Sequence, residues 1–283
     1  MKHTKSSENN SSIDMNTREA YLLEKALAKK MKDASREERK ELYSSVYDKY
    51  YDKFPQHPFI FKKEDLIKCS TALQMHYLKG FLKPDMVFLE IGPGTGALSV
   101  EVAKYVDTVY ALDVSDKPSK SALLPPNVKI VISNGVNIPR SIKSAQIVYS
   151  NQVMEHLHPD DVLEQLKDIY DVLTIGGIYI CRTPHRYSGP HDISKHFDNV
   201  ATCFHLKEYT VSELTELFKL AGFRKVRYEI IPKGVRLAIP LLVIKIVEML
   251  LANLSFSFKR VFTRNLPLRP LFNFCIIGTK CVK

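Results

Sequence analysis

The stretch Val87-Phe-Leu-Glu-Ile-Gly-Pro-Gly-Thr-Gly96 constrains this chain more than any other. An apolar run ends in an acid and then in three glycines within five positions. That pattern predicts a buried parallel strand turning sharply into a helix over 97–105. Glycines in such a turn tolerate positive φ and let a ligand lie against bare backbone. The dinucleotide fingerprint spaces its glycines G-x-G-x-x-G around a pyrophosphate. Here the spacing is G-x-G-x-G, and Glu90 stands at the strand end. A carboxylate there repels phosphate and suits an ammonium group, so the expected ligand is cationic at this point and free of phosphate.

The aminoacid end of S-adenosylmethionine (SAM) meets that description. Glu90, Gly92, Gly94 and Gly96 together resemble the class I SAM-dependent methyltransferases, in the type 11/23 group with ubiquinone-pathway and sugar methyltransferases. The resemblance implies a Rossmann-like, doubly wound sheet of seven strands whose last strand is antiparallel. A dehydrogenase is disfavoured by Glu90 and by the glycine spacing.

Alternation of strand and helix continues downstream, as a parallel sheet covered on both faces requires. Strands are expected at 87–90, 108–113, 128–132, 146–150 and 177–182, then at 224–231 and 275–279. Helices are expected at 97–105, 160–173 and 211–220, with a weaker one near 140–144. The organisation predicted is a disordered tail over 1–17, an N-terminal helical region over 18–82, a core over 83–232, a helical insertion over 233–273 and a final core strand in 274–283. Ser35 and Glu38 form a capping box for the second N-terminal helix, and Pro55 and Pro58 are expected to end it. That helix is rich in tyrosine. It is a lid candidate by resemblance, with packing on the sheet as the plainer alternative.

Three features are expected to build the cofactor site: the glycine turn, Asp113 and the loop at 134–136. Asp113, about twenty residues beyond the glycines, can hold both ribose hydroxyls, with Val114 beside it. Asn134, Gly135 and Val136 follow the third strand and are assigned to the adenine. Asn151 and Gln152 open the run that continues to Glu155-His156, and by resemblance they line the methionine end of SAM. Ubiquinone-pathway relatives carry an additional Glu with this Glu-His and support a divalent metal there. Gln152 takes that place here, so no metal is expected.

A dense polar loop, Thr183 to His196, follows the fifth strand. Histidine titrates near neutral pH and suits proton removal from a hydroxyl. His185 and His191 are therefore the candidate bases, with His156 next. Arg186, Tyr187, Asp192 and His196 are assigned to the acceptor, and His205 to a substrate-side or capping role. The reading is O-methylation of a small-molecule, lipid or sugar hydroxyl. N- or C-methylation and a catalytically silent binding subunit stand as alternatives.

The net charge of +10 is localised. From Arg224 onward twelve Lys/Arg face two acids, Glu229 and Glu248, so the preceding chain is balanced. Nucleic acid is not the expected partner, since a nucleic-acid enzyme spreads its basic residues over the catalytic face. The apolar and basic insertion suggests an anionic membrane surface or, equally, a helix buried at the sheet edge or in a homodimer. Its polar stripe runs Lys245, Glu248, Ala252, Ser255, Lys259. Five cysteines without a C-x-x-C pair, and an N-terminus lacking an apolar leader, give a cytoplasmic expectation.

Overall fold

The computed structural model describes residues 15–54, 64–115, 124–142, 144–231, 235–265 and 268–282. The glycine turn follows the first strand, β1 (Val87–Ile91), and leads into a helix at Ala97–Val102. Parallel partners are β2 (Thr108–Asp113), β3 (Val128–Ile132), β4 (Ala145–Asn151) and β5 (Leu173–Pro184). Of two further strands, β6 (Lys225–Ile230) and β8 (Asn273–Thr279), β8 lies between β5 and β6 and runs antiparallel to both. The sheet order is β3-β2-β1-β4-β5-β8-β6-β7. Its eighth member, β7 (Leu237–Ile239), is a three-residue edge strand from the insertion. The expected seven-stranded sheet is thus present with one strand added.

Period-two alternation explains why both faces are covered. Leu89, Leu112 and Val148 are buried on one side, whereas Phe88, Val109, Ala111 and Ile147 are buried on the other. The first face packs α1 (Met15–Asp33), α2 (Arg36–Lys53), α5 (Pro159–Val172) and α6 (Val211–Leu220). The second packs α3 (Glu64–Leu78) and α4 (Ala97–Val102).

Some boundaries differ from expectation. Residues 15–17 belong to α1, while the rest of the expected tail lies outside the described residues, as do Pro55 and Pro58. The capping box of α2 forms as predicted. Residues 140–142 make a turn closed by Ile142 N–H to the Pro139 carbonyl, so the described part of the weak helix is not helical.

The N-terminal helices are tied to the core by a buried ion pair. Arg39 of α2 meets Asp161 in the first turn of α5 through two hydrogen bonds, 2.7 and 2.6 Å. The Tyr43 hydroxyl donates to the same carboxylate at 2.9 Å. These bonds outweigh the burial penalty and hold the Asp161 pKa below its usual range. They also fix the next two turns of α2, with Tyr47, Tyr50 and Tyr51, over the sheet.

The insertion folds as β7, α7 (Leu241–Ala252) and α8 (Phe256–Arg264). Of the expected polar stripe only Glu248 faces inward, whereas Ala252 and Ser255 are exposed. Glu248 is buried and accepts from Val211 N–H at 2.6 Å and Ser212 N–H at 3.0 Å, at the N-terminus of α6. Lys245 pairs with Glu216 on the same helix. Part of the apolar circumference remains outside: Leu242, Met249, Leu250 and Phe258 are each more than 60% exposed, whereas Ile244 and Leu251 are buried.

Candidate active site

A cavity of about 290 Å³ opens at the carboxyl ends of β1, β2 and β4, roofed by α1 and α2. Open α/β sheets place their ligands there. Its lining includes Glu90, Gly92, Gly94, Asp113, Val114, Gly135, Val136, Asn151 and Gln152, nine of the eleven positions assigned to the cofactor. Gly94 has φ +52° and Gly92 +68°. Gln152 also holds a left-handed φ of 59°, a conformation that costs a non-glycine residue about 1 kcal/mol and recurs at functional sites.

Glu90, buried, and Asp113, half-buried, are the carboxylates at the glycine turn. Burial pushes the Glu90 carboxyl up to about 7, against a hydrogen bond from Ser99 and with Asp113 adding to the rise. Asp113 is pushed up to about 6 by burial, although its Oδ1 accepts from Val114 N–H at 2.7 Å. Two carboxylates short of positive charge at one glycine turn suit a ligand that brings an ammonium and hydroxyl donors.

Two assigned positions lie elsewhere. Gly96 caps α4 in the left-handed conformation and does not line the cavity. The Asn134 side-chain oxygen accepts from Val136 and Asn137 N–H at 3.0 and 2.8 Å. It closes its own turn, and Asn137 lines the cavity instead.

The polar loop is corrected more deeply. His185 is fully buried outside the cavity lining. Its Nε2 lies 2.7 Å from Glu248 Oε1, and its Nδ1 accepts from Tyr187 N–H at 3.0 Å. Burial holds this imidazole below its usual pKa despite the carboxylate. With both nitrogens engaged, His185 joins the insertion to the loop and is not placed to act as a base. Arg186 is exposed and pairs with Glu213, Tyr187 lies beneath Lys259 of α8, and His196 is exposed. Arg264 of α8 donates to the Ser188 carbonyl at 2.7 Å and to that of Gly189. The density of polar groups in this loop therefore reflects how the insertion is fastened.

His191 lines no part of the cavity but contacts Glu208, through Nδ1 at 3.3 Å and its backbone N–H at 2.7 Å. Asp192 and His156 do line it. The Asp192 carboxylate accepts from Ser194, Cys203 and His205 N–H groups and so shapes its own loop. His156 shares a 3.0 Å hydrogen bond with the Tyr47 hydroxyl. Burial, then the neighbouring His205, lowers its pKa to about 3.

His205, set apart from the leading candidates by sequence, stands closer to base chemistry. Its Nδ1 lies 2.8 Å from Glu208 Oε1, and its Nε2 lies 4.0 Å from Glu155 Oε1. Burial opposes its charged form, but the Glu208 hydrogen bond and the surrounding carboxylates raise its pKa overall. Glu208 is held down at about 2, its two histidine partners outweighing burial. Glu155, His156 and His205 bring three ligand-type atoms within 4.8 Å of one another. Glu24 of α1 and Phe204 also reach the cavity. The signal for Glu24 was an acid inside an apolar stripe, since Ala20, Glu24, Leu27 and Met31 are buried along one face.

Comparison with known proteins agrees with this architecture. A probable SAM-dependent methyltransferase of Mycolicibacterium smegmatis is 31% identical over 136 residues, 48% of this chain and 51% of the relative. The matched region thus spans about half the length of that curated relative. Phosphoethanolamine N-methyltransferase 1 of Haemonchus contortus superimposes with a TM-score of 0.57 at 16% identity, covering 89% of this chain and 51% of that one. A SAM-dependent methyltransferase of Archaeoglobus fulgidus gives 0.52 at 19% identity, over 83% and 99% of the two chains. At such identities both superpositions speak for the fold alone. The family model described as a methyltransferase domain matches residues 61–228, from before β1 into β6 and so across the glycine turn, Asp113 and the His156 and His205 loops. On that match, spanning more than half its length, the chain belongs to the methyltransferase domain family, with the fold of the class I SAM-dependent enzymes.

Proposed function

We propose that this protein transfers the methyl group of SAM to a small acceptor held beneath α1 and α2. The observation that supports this most is the polarity of one cavity. Glu90 and Asp113 line it at the glycine turn, and His205, backed by Glu208 from outside the lining, reaches it too. In this reading Glu90 and Asp113 take the ammonium and ribose ends of SAM. The acceptor heteroatom attacks the methyl carbon, the carbon–sulfur bond breaks toward sulfur, and S-adenosylhomocysteine leaves. His205 takes the acceptor's proton, in place of His185 or His191. An acceptor that must shed a proton before it attacks, a hydroxyl or an ammonium ion, is what this arrangement serves most directly, because it needs a base. The fold supplies alignment, for which a near-attack geometry is worth about 7–11 kcal/mol.

Calorimetry of SAM binding tests the cofactor half. An Asp113→Ala protein of unchanged melting temperature should lose about 1.5–3 kcal/mol, roughly ten- to 150-fold in Kd. Because burial raises both carboxyls, their ionised forms are gained only as pH climbs through about 6 to 7, so affinity should strengthen over that window. Unchanged affinity in the variant would sink the assignment.

The insertion face reads as a docking surface for an anionic bilayer. Between residues 235 and 265 the lone acid, Glu248, is buried, which leaves that surface without exposed negative charge. Exposed Leu242, Met249, Leu250 and Phe258 adjoin Lys259, Arg260 and Arg264. Among the described residues no helix is long and apolar enough to cross a membrane. The helices would lie in the interface, each basic residue adding about 1 kcal/mol. Co-sedimentation with phosphatidylserine vesicles, weakened by salt, is the expected result. A salt-stable dimer that ignores vesicles would assign the face to a second copy of the chain.

A further inference from the structure

The acceptor end of the cavity is short of positive charge. Glu24 is 3% exposed and lines it. The groups around Glu24 are the Tyr50 hydroxyl, the Phe204 backbone, Asp192 and His205. Its neighbour Lys25 turns away to Asp198, at 3.1 Å. Among the described residues lining the cavity there is no lysine or arginine. His205 is the nearest cationic group, and Glu24, Glu155, Asp192 and Glu208 all act on it.

All four carboxylates have hydrogen-bond donors. Asp192 is taken up by backbone N–H groups, Glu208 by His191 and His205, and Glu155 by Thr183 through one oxygen. Glu24 is bonded by the Tyr50 hydroxyl and the Phe204 backbone, both neutral, and no described lysine or arginine lines the cavity beside it. A buried carboxylate hydrogen-bonded only by neutral donors is costly to ionise unless it meets a cation. Burial, with Asp192 adding to the rise, pushes Glu24 up to about 7 against its hydrogen bonds, so a cation arriving there would be held in exchange for a proton.

The walls fit the same ligand. Tyr47 and Tyr50 lie 4.9 and 5.2 Å from Phe204, ring centre to ring centre, and Tyr51 adjoins both tyrosines. Aromatic faces attract cations and cover apolar carbon. A phosphate or carboxylate on the acceptor would find no lysine or arginine among the described residues of the lining, and Arg186 is paired with Glu213 outside.

Resting on the methyltransferase reading above, we propose that the acceptor is a small amine that binds as its ammonium ion. Glu24 faces the charge, and Tyr47, Tyr50, Tyr51 and Phe204 surround the apolar body. This assigns a recognition residue on α1, ahead of the matched methyltransferase region.

The test uses the full chain, with and without S-adenosylhomocysteine, and calorimetric titration of matched probes. These are phenethylamine against 2-phenylethanol and phenylacetate, and hexylamine against 1-hexanol. At least one amine should bind ten times more tightly than its alcohol, and phenylacetate should not bind. Glu24→Gln should reduce amine affinity at least tenfold while S-adenosylhomocysteine affinity stays unchanged. Amines that bind no better than their alcohols, or not at all, overturn the proposal without need of any variant. Amine affinity unchanged in Glu24→Gln overturns it too. Amine binding that vanishes after EDTA dialysis would place the charge recognition on a metal at Glu155, His156 and His205, again against the proposal. Failure of S-adenosylhomocysteine to bind would instead count against the methyltransferase reading, because amine discrimination is measured separately in the unloaded protein.

Discussion

A Gly94→Val protein is expected to fold and to lose detectable SAM binding, a drop of more than a hundredfold in affinity. The reason is where the added carbon goes. A Cβ built on Gly94 meets no atom within 4 Å, so nothing in the protein resists it, and the residue borders the cavity. The side chain would stand in space reserved for ligand. Its φ of +52° adds a strain of about 1–2 kcal/mol for a non-glycine residue, and β-branched valine bears it poorly. Melting temperature should therefore fall by only a few degrees while calorimetric binding disappears. Gly92 would be a poorer probe. There the same Cβ lies 2.5 Å from Val153 Cγ2, so misfolding and lost binding would be confounded. A well-folded Gly94→Val protein that binds SAM normally would show that the cofactor does not lie on this turn.

The sheet and the glycine end of the cavity were legible because they rest on local chemistry. Apolar runs ending in an acid and glycines report strand, turn and backbone exposure within ten residues. Glu90, Asp113 and Gly135 consequently fall where spacing placed them. The polar loop was not legible, because its meaning depends on a partner more than fifty residues away. Nothing near His185 in sequence announces that Glu248 will bury against it and cap α6 at the same time. A polar stripe on an apolar helix reads as the wet side. Here its central acid, Glu248, is docked, since a buried charge is tolerated only when paired. Glu24 is the same case in reverse: an acid among buried apolar positions, visible in the pattern yet interpretable only once the cavity is seen. The tyrosines of α2 divide between both readings, with Tyr43 tied to Asp161 and Tyr47 bonded to His156 at the cavity.

Removing the imidazole of His205 is expected to slow methyl transfer by about 10²–10⁴-fold, the usual worth of a general base. SAM affinity should be nearly unaffected, because the Glu90 and Asp113 end does not touch it. His156 is the weaker candidate: with a pKa lowered to about 3 it is neutral over the working range and holds protons poorly. His205 has the opposite environment, a carboxylate at 2.8 Å and a raised pKa. The sign follows directly. A base must be unprotonated to act, so kcat/KM should fall as pH drops through a limb lying above 6.5, the ordinary histidine value. In His205→Ala that limb should be gone. Glu208→Gln gives a second reading that a purely structural role would not produce. It takes away the charge that stabilises imidazolium, so the limb should move to lower pH even where kcat changes little. His185→Ala should leave the limb in place and lower thermal stability instead, since it opens the buried contact with Glu248. A limb unmoved in both His205→Ala and Glu208→Gln would mean that the proton leaves by another route, with His156 and Tyr47 the next groups along the cavity wall.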